Sequence, residues 1–262
     1  MEDDAPISAS GSYVIPDEVV KEESVDDRPL IEKIADKNWK TRCSAYEELK
    51  TTIAAGGESL PESIFTDFGP WLTKMTSDSN AGALDVGLDA AIAFIDSADP
   101  SISLNYADKL LSNMVDKAFP AKTSTLNKGK QIILKLIEIS DPSNATTFLI
   151  SKLGDKKPKT APICLEILRS GIIMFGIRPF PVKEIIKSLA AVFNGTNGPA
   201  REAAMALIVE VHRWVGQAPL QALLDSLRTA QKSEFEKIIS ELPEDAPPVI
   251  PTVYLRKERP KP

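Results

Sequence analysis

From Pro29 onward, apolar residues recur every three or four positions in stretches of helical length. Ile132, Ile133, Leu136, Ile137 and Ile139 line one stripe, and Ile185, Ile186, Leu189, Val192 and Phe193 a second. Leu207, Ile208, Val211, Trp214 and Val215 line a third. No stretch sustains the period-two alternation of a half-buried strand. Helix breakers punctuate the runs at Gly56-Gly57, Asp99-Pro100, Asp141-Pro142, Gly176, Pro179, Pro181, Gly216 and Pro219. The pattern predicts an all-α fold.

Shorter polar breaks fall between the stronger ones, at 36–40, 77–80, 119–123, 155–159 and 194–198. The helices that follow them are predicted to begin near Lys40, Ala81, Ser124, Lys159 and Pro199, at spacings of 41, 43, 35 and 40 residues. A repeat of that length, one strong and one weak break per unit, is the signature of an α-solenoid of helix pairs, HEAT or armadillo. Six pairs are predicted, over 29–56, 59–98, 99–140, 141–178, 179–217 and 218–242. Two of the weak breaks share a local pattern, Trp39-Lys-Thr-Arg42-Cys-Ser-Ala45 and Pro199-Ala-Arg201-Glu-Ala-Ala204. An Arg followed three residues on by Ala suits tight stacking of neighbouring helices. Residues 243–262 hold six prolines and read as an extended tail or linker.

Charge divides the chain. The net charge is −6, but residues 1–28 alone carry −7 and the other 234 residues +1. The first 28 residues are polar, acidic and aperiodic, and are predicted to be a disordered tail. In a helix-pair solenoid the loops within repeats lie along one edge and those between repeats along the other. The within-repeat segments (36–40, 77–82, 118–124, 155–159, 194–201) sum to +4, and the between-repeat segments (55–61, 96–101, 140–143, 175–183, 215–219) to −2. An acidic partner should prefer the first edge. That edge also holds Trp39 between Lys37 and Lys40, either as an interface anchor or folded back as a staple at the helix start. Lys156, Lys157 and Lys159 form either part of the same surface or a solvated loop.

These breaks also carry a family resemblance. Lys37-Asn-Trp-Lys-Thr-Arg-Cys-Ser-Ala-Tyr-Glu-Glu-Leu49 resembles the first repeat of a TOG domain of the ch-TOG and MOR class of microtubule polymerases. Ser77-Asp-Ser-Asn80 with Gly87-Leu-Asp-Ala-Ala-Ile-Ala-Phe94 resembles the second repeat, and Glu210-Val-His-Arg-Trp-Val-Gly216 the close of the fifth. Pro251-Thr-Val-Tyr-Leu-Arg256 resembles the segment after the sixth repeat of the family's first TOG domain. The resemblance spans about Pro29–Arg256 and implies that 29–242 is one such domain. It implies binding of the αβ-tubulin heterodimer by the within-repeat loops, in support of plus-end polymerisation and dynamics. The implied partner residues are Trp39 (packing on β-tubulin), Lys40, Ser79, Asn80, Lys122, Thr123, Lys156, Lys157, Lys159 and Arg201. It also implies a place on the cytoskeleton, at microtubule plus ends, spindle poles or the centrosome, within a longer protein. The chain departs from the family pattern at Phe119-Pro120 in the third loop and at Gly195 and Gly198 in the fifth.

Other function classes have weaker support. The sole histidine, His212, sits in an apolar helix beside Trp214, where a packing role is expected. No Cys/His cluster has zinc spacing and no Gly-rich phosphate loop follows a strand, so neither enzyme, metal nor cofactor is expected. Cys43 and Cys164 are expected as free, buried thiols. A body charge of +1 falls short of a nucleic-acid footprint. No apolar run approaches the roughly 20 residues of a membrane span. The remaining alternative is a HEAT scaffold or adaptor that binds through its concave face and needs no loop aromatic.

Overall fold

The structure, a computed structural model, describes residues 26–56, 60–243 and 249–258. Among these residues every regular element is helical. The first pair is α1 (Leu30–Ala35) and α2 (Trp39–Gly56). The second is α3 (Ser63–Phe68), a 3-10 turn and α4 (Leu72–Met75), answered by α5 (Ala81–Ser97). The third is α6 (Pro100–Leu104), α7 (Ala107–Asn113) and a π-turn (Met114–Ala118), answered by α8 (Thr123–Ile139). Then come α9 (Pro142–Ser151) with α10 (Thr160–Phe175) and α11 (Val182–Asn194) with α12 (Gly198–Val215). Last is a 3-10 turn and α13 (Gln221–Ser226) with α14 (Thr229–Ser240). The second helices stack in chain order, α2 on α5, α5 on α8, α8 on α10, α10 on α12 and α12 on α14. The fold is a HEAT-like α-solenoid, and its second helices from α2 to α12 begin within one residue of the positions read from the sequence.

Local chemistry explains the punctuation. Asp99 and Asp141 both stop one repeat and start the next: each carboxylate accepts the backbone N–H two residues on, at 2.9 Å, with Pro in the first turn of the new helix. Gly176 and Gly216 end α10 and α12 at φ 77° and 73° with ψ 164° and −170°, a region essentially reserved for glycine, where another residue costs about 1–3 kcal/mol. The first helices of pairs two and three are fragmented where the hydrophobic pattern alone suggests continuous ones. In pair two Gly69-Pro70 forces a 3-10 turn. In pair three the Phe119 N–H reaches the Met114 carbonyl at 2.9 Å, five residues back, and Pro120 follows.

Ala45 and Ala204 are fully buried, as the Arg-x-x-Ala pattern suggested. Tyr46, Phe94 and Phe193 fill the core between helix layers, and Phe65 meets Phe94 edge-to-face with ring centroids 5.2 Å apart. Both cysteines are free thiols; Cys164 is buried, which pushes its pKa up to about 12, while Cys43 is only half-buried. His212 packs edge-to-face on Phe235, and burial lowers its pKa. No helix among the described residues is long and apolar enough to cross a membrane.

Residues 249–255 run without regular structure against the solenoid and end in a 3-10 turn at Arg256–Glu258. The Val253 N–H donates to the Met174 carbonyl at 2.8 Å, near the end of α10. Leu255 is fully buried. The Arg256 guanidinium donates to the carbonyls of Ile95, Asp96 and Ala98 at 3.1–3.2 Å, capping the C-terminus of α5. This strap therefore joins the second pair to the fourth, across the edge of the third. Of the segments read as tails, residues 1–25, 244–248 and 259–262 lie outside the described residues. Arg28, grouped from the sequence with the acidic tail, pairs with Asp36 at 2.8 Å beside the first loop.

Candidate functional site

The within-repeat edge is built from the short connections that start each second helix. Trp39 is the first residue of α2 and is 41% exposed, among the few large hydrophobic side chains so open to solvent. The other two tryptophans are half-buried against the core, and Trp214 donates its indole N–H to Glu210 at 3.0 Å. One side of the Trp39 ring rests over Gly82 in the first turn of α5, where a Cβ would stand 3.5 Å from a ring carbon.

The other predicted residues are less alike than the sequence suggests. Lys40, Ser79, Lys122, Thr123, Lys156, Lys157 and Lys159 are exposed. Asn80 is half-buried and works as the N-cap of α5, its side-chain oxygen accepting from Gly82 N at 2.9 Å and Ala83 N at 3.1 Å. Lys122 stands 3.8 Å from Asp85, and Lys157 3.2 Å from Asp116. Lys156 and Lys159 have no ion-pair partner among the described residues. Arg201 is half-buried, and its guanidinium donates to the Gly195 carbonyl at 2.7 Å, six residues back.

Neighbouring loops are tied at the repeat spacing. Loops one and two share a buried ion pair, Arg42 to Asp78, with two hydrogen bonds of 2.7 Å. In pairs two and three, Asp85 accepts from Thr125 at 2.5 Å and from Lys128 at 2.8 Å. Burial pushes the Asp85 carboxyl up, and those two donors outweigh it to hold its pKa below the ordinary value. Loops four and five meet through the Asn197 side-chain amide, which donates to the Pro158 carbonyl at 2.8 Å. Beyond the loops, Lys130 pairs with Glu166 at 2.7 Å and Lys135 with Asp96, so charges on the second-helix layer largely answer one another. The edge keeps unpaired lysines.

Reading the sequence missed Arg42 and Asp78 as site residues. The shared Arg-x-x-Ala pattern did signal Arg42, because Arg42 and Arg201 both reach back to the carbonyl six residues earlier. Asp78 gave no local signal; its partner is 36 residues away. Between the third and fourth loops lies a cleft of about 260 Å³ lined by Val115, Phe119, Pro120, Lys157, Pro158 and Thr160. Phe119 forms its floor at 2% exposure, so this departure from the family pattern reshapes the surface without adding an exposed ring. Among the described residues no group of three or more His, Cys, Asp or Glu is arranged to hold a metal.

A stack of helix pairs carrying a row of mutually tied loops, with an open tryptophan at one end and unpaired lysines at the other, defines a solenoid with a loop-built edge. A family model for the XMAP215/Dis1/CLASP TOG domain matches residues 24–239, and the chain belongs to that family. It is 26% identical over 243 residues to the spindle pole body component alp14 of Schizosaccharomyces pombe, covering 92% of this chain and 30% of that protein. It is 30% identical over 247 residues to centrosomal protein 224 of Dictyostelium discoideum, covering 94% of this chain and 12% of that protein. The chain thus spans less than a third of the length of either relative. Its fold is similar, at TM-score 0.76 and 20% identity, to a solved structure described as the basis of tubulin recruitment and assembly by microtubule polymerases with TOG-domain arrays. That likeness covers 87% of this chain and 49% of the other.

Proposed function

We propose that this chain binds αβ-tubulin through the within-repeat edge, as one module in the recruitment of tubulin to growing microtubule ends. The observation that carries the reading is Trp39: an open indole at a helix start, in a family with a structural relative described by tubulin recruitment. Lys40, Ser79, Lys122, Thr123, Lys156, Lys157, Lys159 and Arg201 extend the surface along the same edge, and Asn80 holds its second loop in shape. The action is binding, not catalysis. Aromatic anchors supply the affinity of such surfaces, and exposed cations attract an acidic partner. A single module lacks the avidity of an array, so sustained polymerisation needs linked copies. The cytoskeletal location of the spindle-pole and centrosomal relatives follows the same reading.

Co-migration of the chain with purified αβ-tubulin on size-exclusion chromatography is the test. A stable complex that is lost in Trp39→Ala supports the proposal. No complex at micromolar concentrations, or a complex indifferent to the whole edge, would sink it and favour binding by the concave face.

A further inference from the structure

Arg42 occupies the first turn of α2 on the face it shares with the buried Ala45, Tyr46 and Leu49, and as a charged side chain it is only 8% exposed. Its guanidinium is fully engaged on one side. Nε and one terminal nitrogen each donate to Asp78 at 2.7 Å, while the other terminal nitrogen reaches back to the carbonyls of Asp36 at 2.9 Å and Lys37 at 3.0 Å. Asp78 is 6% exposed and accepts further from the Tyr46 hydroxyl at 3.0 Å and the Asn80 backbone N–H at 2.9 Å. Asn80 then caps α5, whose first turn carries Gly82 beneath the Trp39 ring. One planar, five-donor group thus fixes the path of residues 36–38 and the carboxylate around which the second loop turns.

Arg201 supplies the contrast. At the same place in the fifth pair it reaches back to its own loop, at Gly195, but makes no ion pair with the next loop among the described residues. Arg42 therefore does two jobs where Arg201 does one. A buried ion pair is weak evidence for stability, since an apolar pair of equal volume is often as stable; what it fixes is arrangement.

We infer that Arg42 and Asp78 are positioning residues for the proposed tubulin surface: they touch no partner, and set the first loop against the second so that Trp39 and Ser79 form one preformed contact. This rests on the tubulin-binding reading. The geometry it asserts is testable without it.

Two variants of the full chain separate geometry from folding. Arg42→Lys keeps the charge but loses the fork. The double replacement Arg42→Met with Asp78→Leu removes the pair and refills its volume. The double variant should melt near the wild type yet bind tubulin about thirty-fold more weakly, a loss of the size expected for one interface hot spot. In a Trp39→Ala background the same replacement should cost less than about three-fold, because the pair acts through Trp39. An equal loss in both backgrounds overturns the inference. The ¹⁹F spectrum of 5-fluorotryptophan-labelled chain reads the geometry directly: in Arg42→Lys the Trp39 line should move or broaden while the Trp71 and Trp214 lines hold. An unmoved Trp39 line overturns the inference, whatever tubulin does. A moved line with no tubulin binding by the wild type leaves the positioning intact and removes the proposed partner.

Discussion

The two halves of the within-repeat edge are built differently. At the amino end, loops one and two are joined by a desolvated fork at 8% and 6% exposure, and the exposed Trp39 ring rests on Gly82 of the second pair. Toward the carboxyl end, the tie between loops three and four is Lys157–Asp116, whose side chains are 54% and 59% exposed. The first half has the character of a small core turned outward, with its geometry settled before any partner arrives. The second is a set of solvated charges on a backbone frame. Rigid desolvated contacts govern how long a complex lasts, and exposed charges govern how fast it forms.

The comparison breaks most visibly if Asp78 is cut to Ala. That leaves Arg42 buried without its acid, and the expected cost is about 3–5 kcal/mol, a fall in melting temperature of about 10 °C by calorimetry. Cutting Asp116 to Ala at the other end should cost under about 1 kcal/mol. Equal losses would abolish the distinction. Trp39→Ala comes next: about 2–4 kcal/mol in tubulin affinity by titration, with melting nearly unchanged because the ring is packed against little. A large fall in melting temperature with normal binding would instead make Trp39 a structural residue.

Replacing Lys156, Lys157 and Lys159 together by Ala should slow association several-fold, to about a tenth at most, and flatten its salt dependence, measured by stopped flow. Dissociation should hardly change. The matching control is Arg178 and Lys183 on the opposite edge; an equal effect there would show that the two edges had been confused.

Acid offers a smaller and finer test. Burial pushes the Asp78 carboxyl up, but the Arg42 fork, the Asn80 N–H and the Tyr46 hydroxyl outweigh it and hold the folded pKa below the ordinary value. The groups facing it are Arg42 and Tyr46, with Lys74 close by. A carboxylate with a depressed folded pKa contributes stability that is complete above its unfolded pKa, about 4, and is lost as pH falls through the folded value. Melting temperature should therefore decline below about pH 4, less steeply in Asp78→Asn. Asp85 contributes with the same sign and leaves a residual slope. The smallest effect should come from deleting residues 1–25: melting unchanged, and tubulin affinity slightly higher at low salt as acidic chain is removed from competition for the basic edge.

Much of this was legible in the sequence because a solenoid is written locally. Asp-Pro, Gly and polar breaks mark where each helix stops, and the restart at Ala81 follows from Asn80 as cap. The six pairs and the charged edge needed no knowledge of contacts. What escaped depended on contacts between repeats. Arg42 carried a pattern but not its meaning, since its carboxylate lies one full repeat away and the pair exists only once α2 and α5 stack. Phe119 stood in the sequence only as a departure from the family pattern in the third loop; the structure puts a π-turn before it and buries its ring. The prolines of 243–262 suggested an extended tail or linker but not where 249–258 would lie, because Arg256 finds its partners about 160 residues back.

The strap has a consequence for which changes of length the molecule can survive. Where units touch only their neighbours, one can be duplicated or lost anywhere in the row. Here Val253 is pinned to the fourth pair and Arg256 to the end of the second, with two residues between them. Three residue steps reach about 10 Å at full extension. An inserted pair would push the two anchor points apart by roughly another 8–10 Å, one helix spacing. The segment would have to let go at one end, exposing Leu255 or uncapping α5. Growth and loss of units are therefore confined to the ends of the row, and the spacing from second to fourth is a fixed length, gauged by the chain itself.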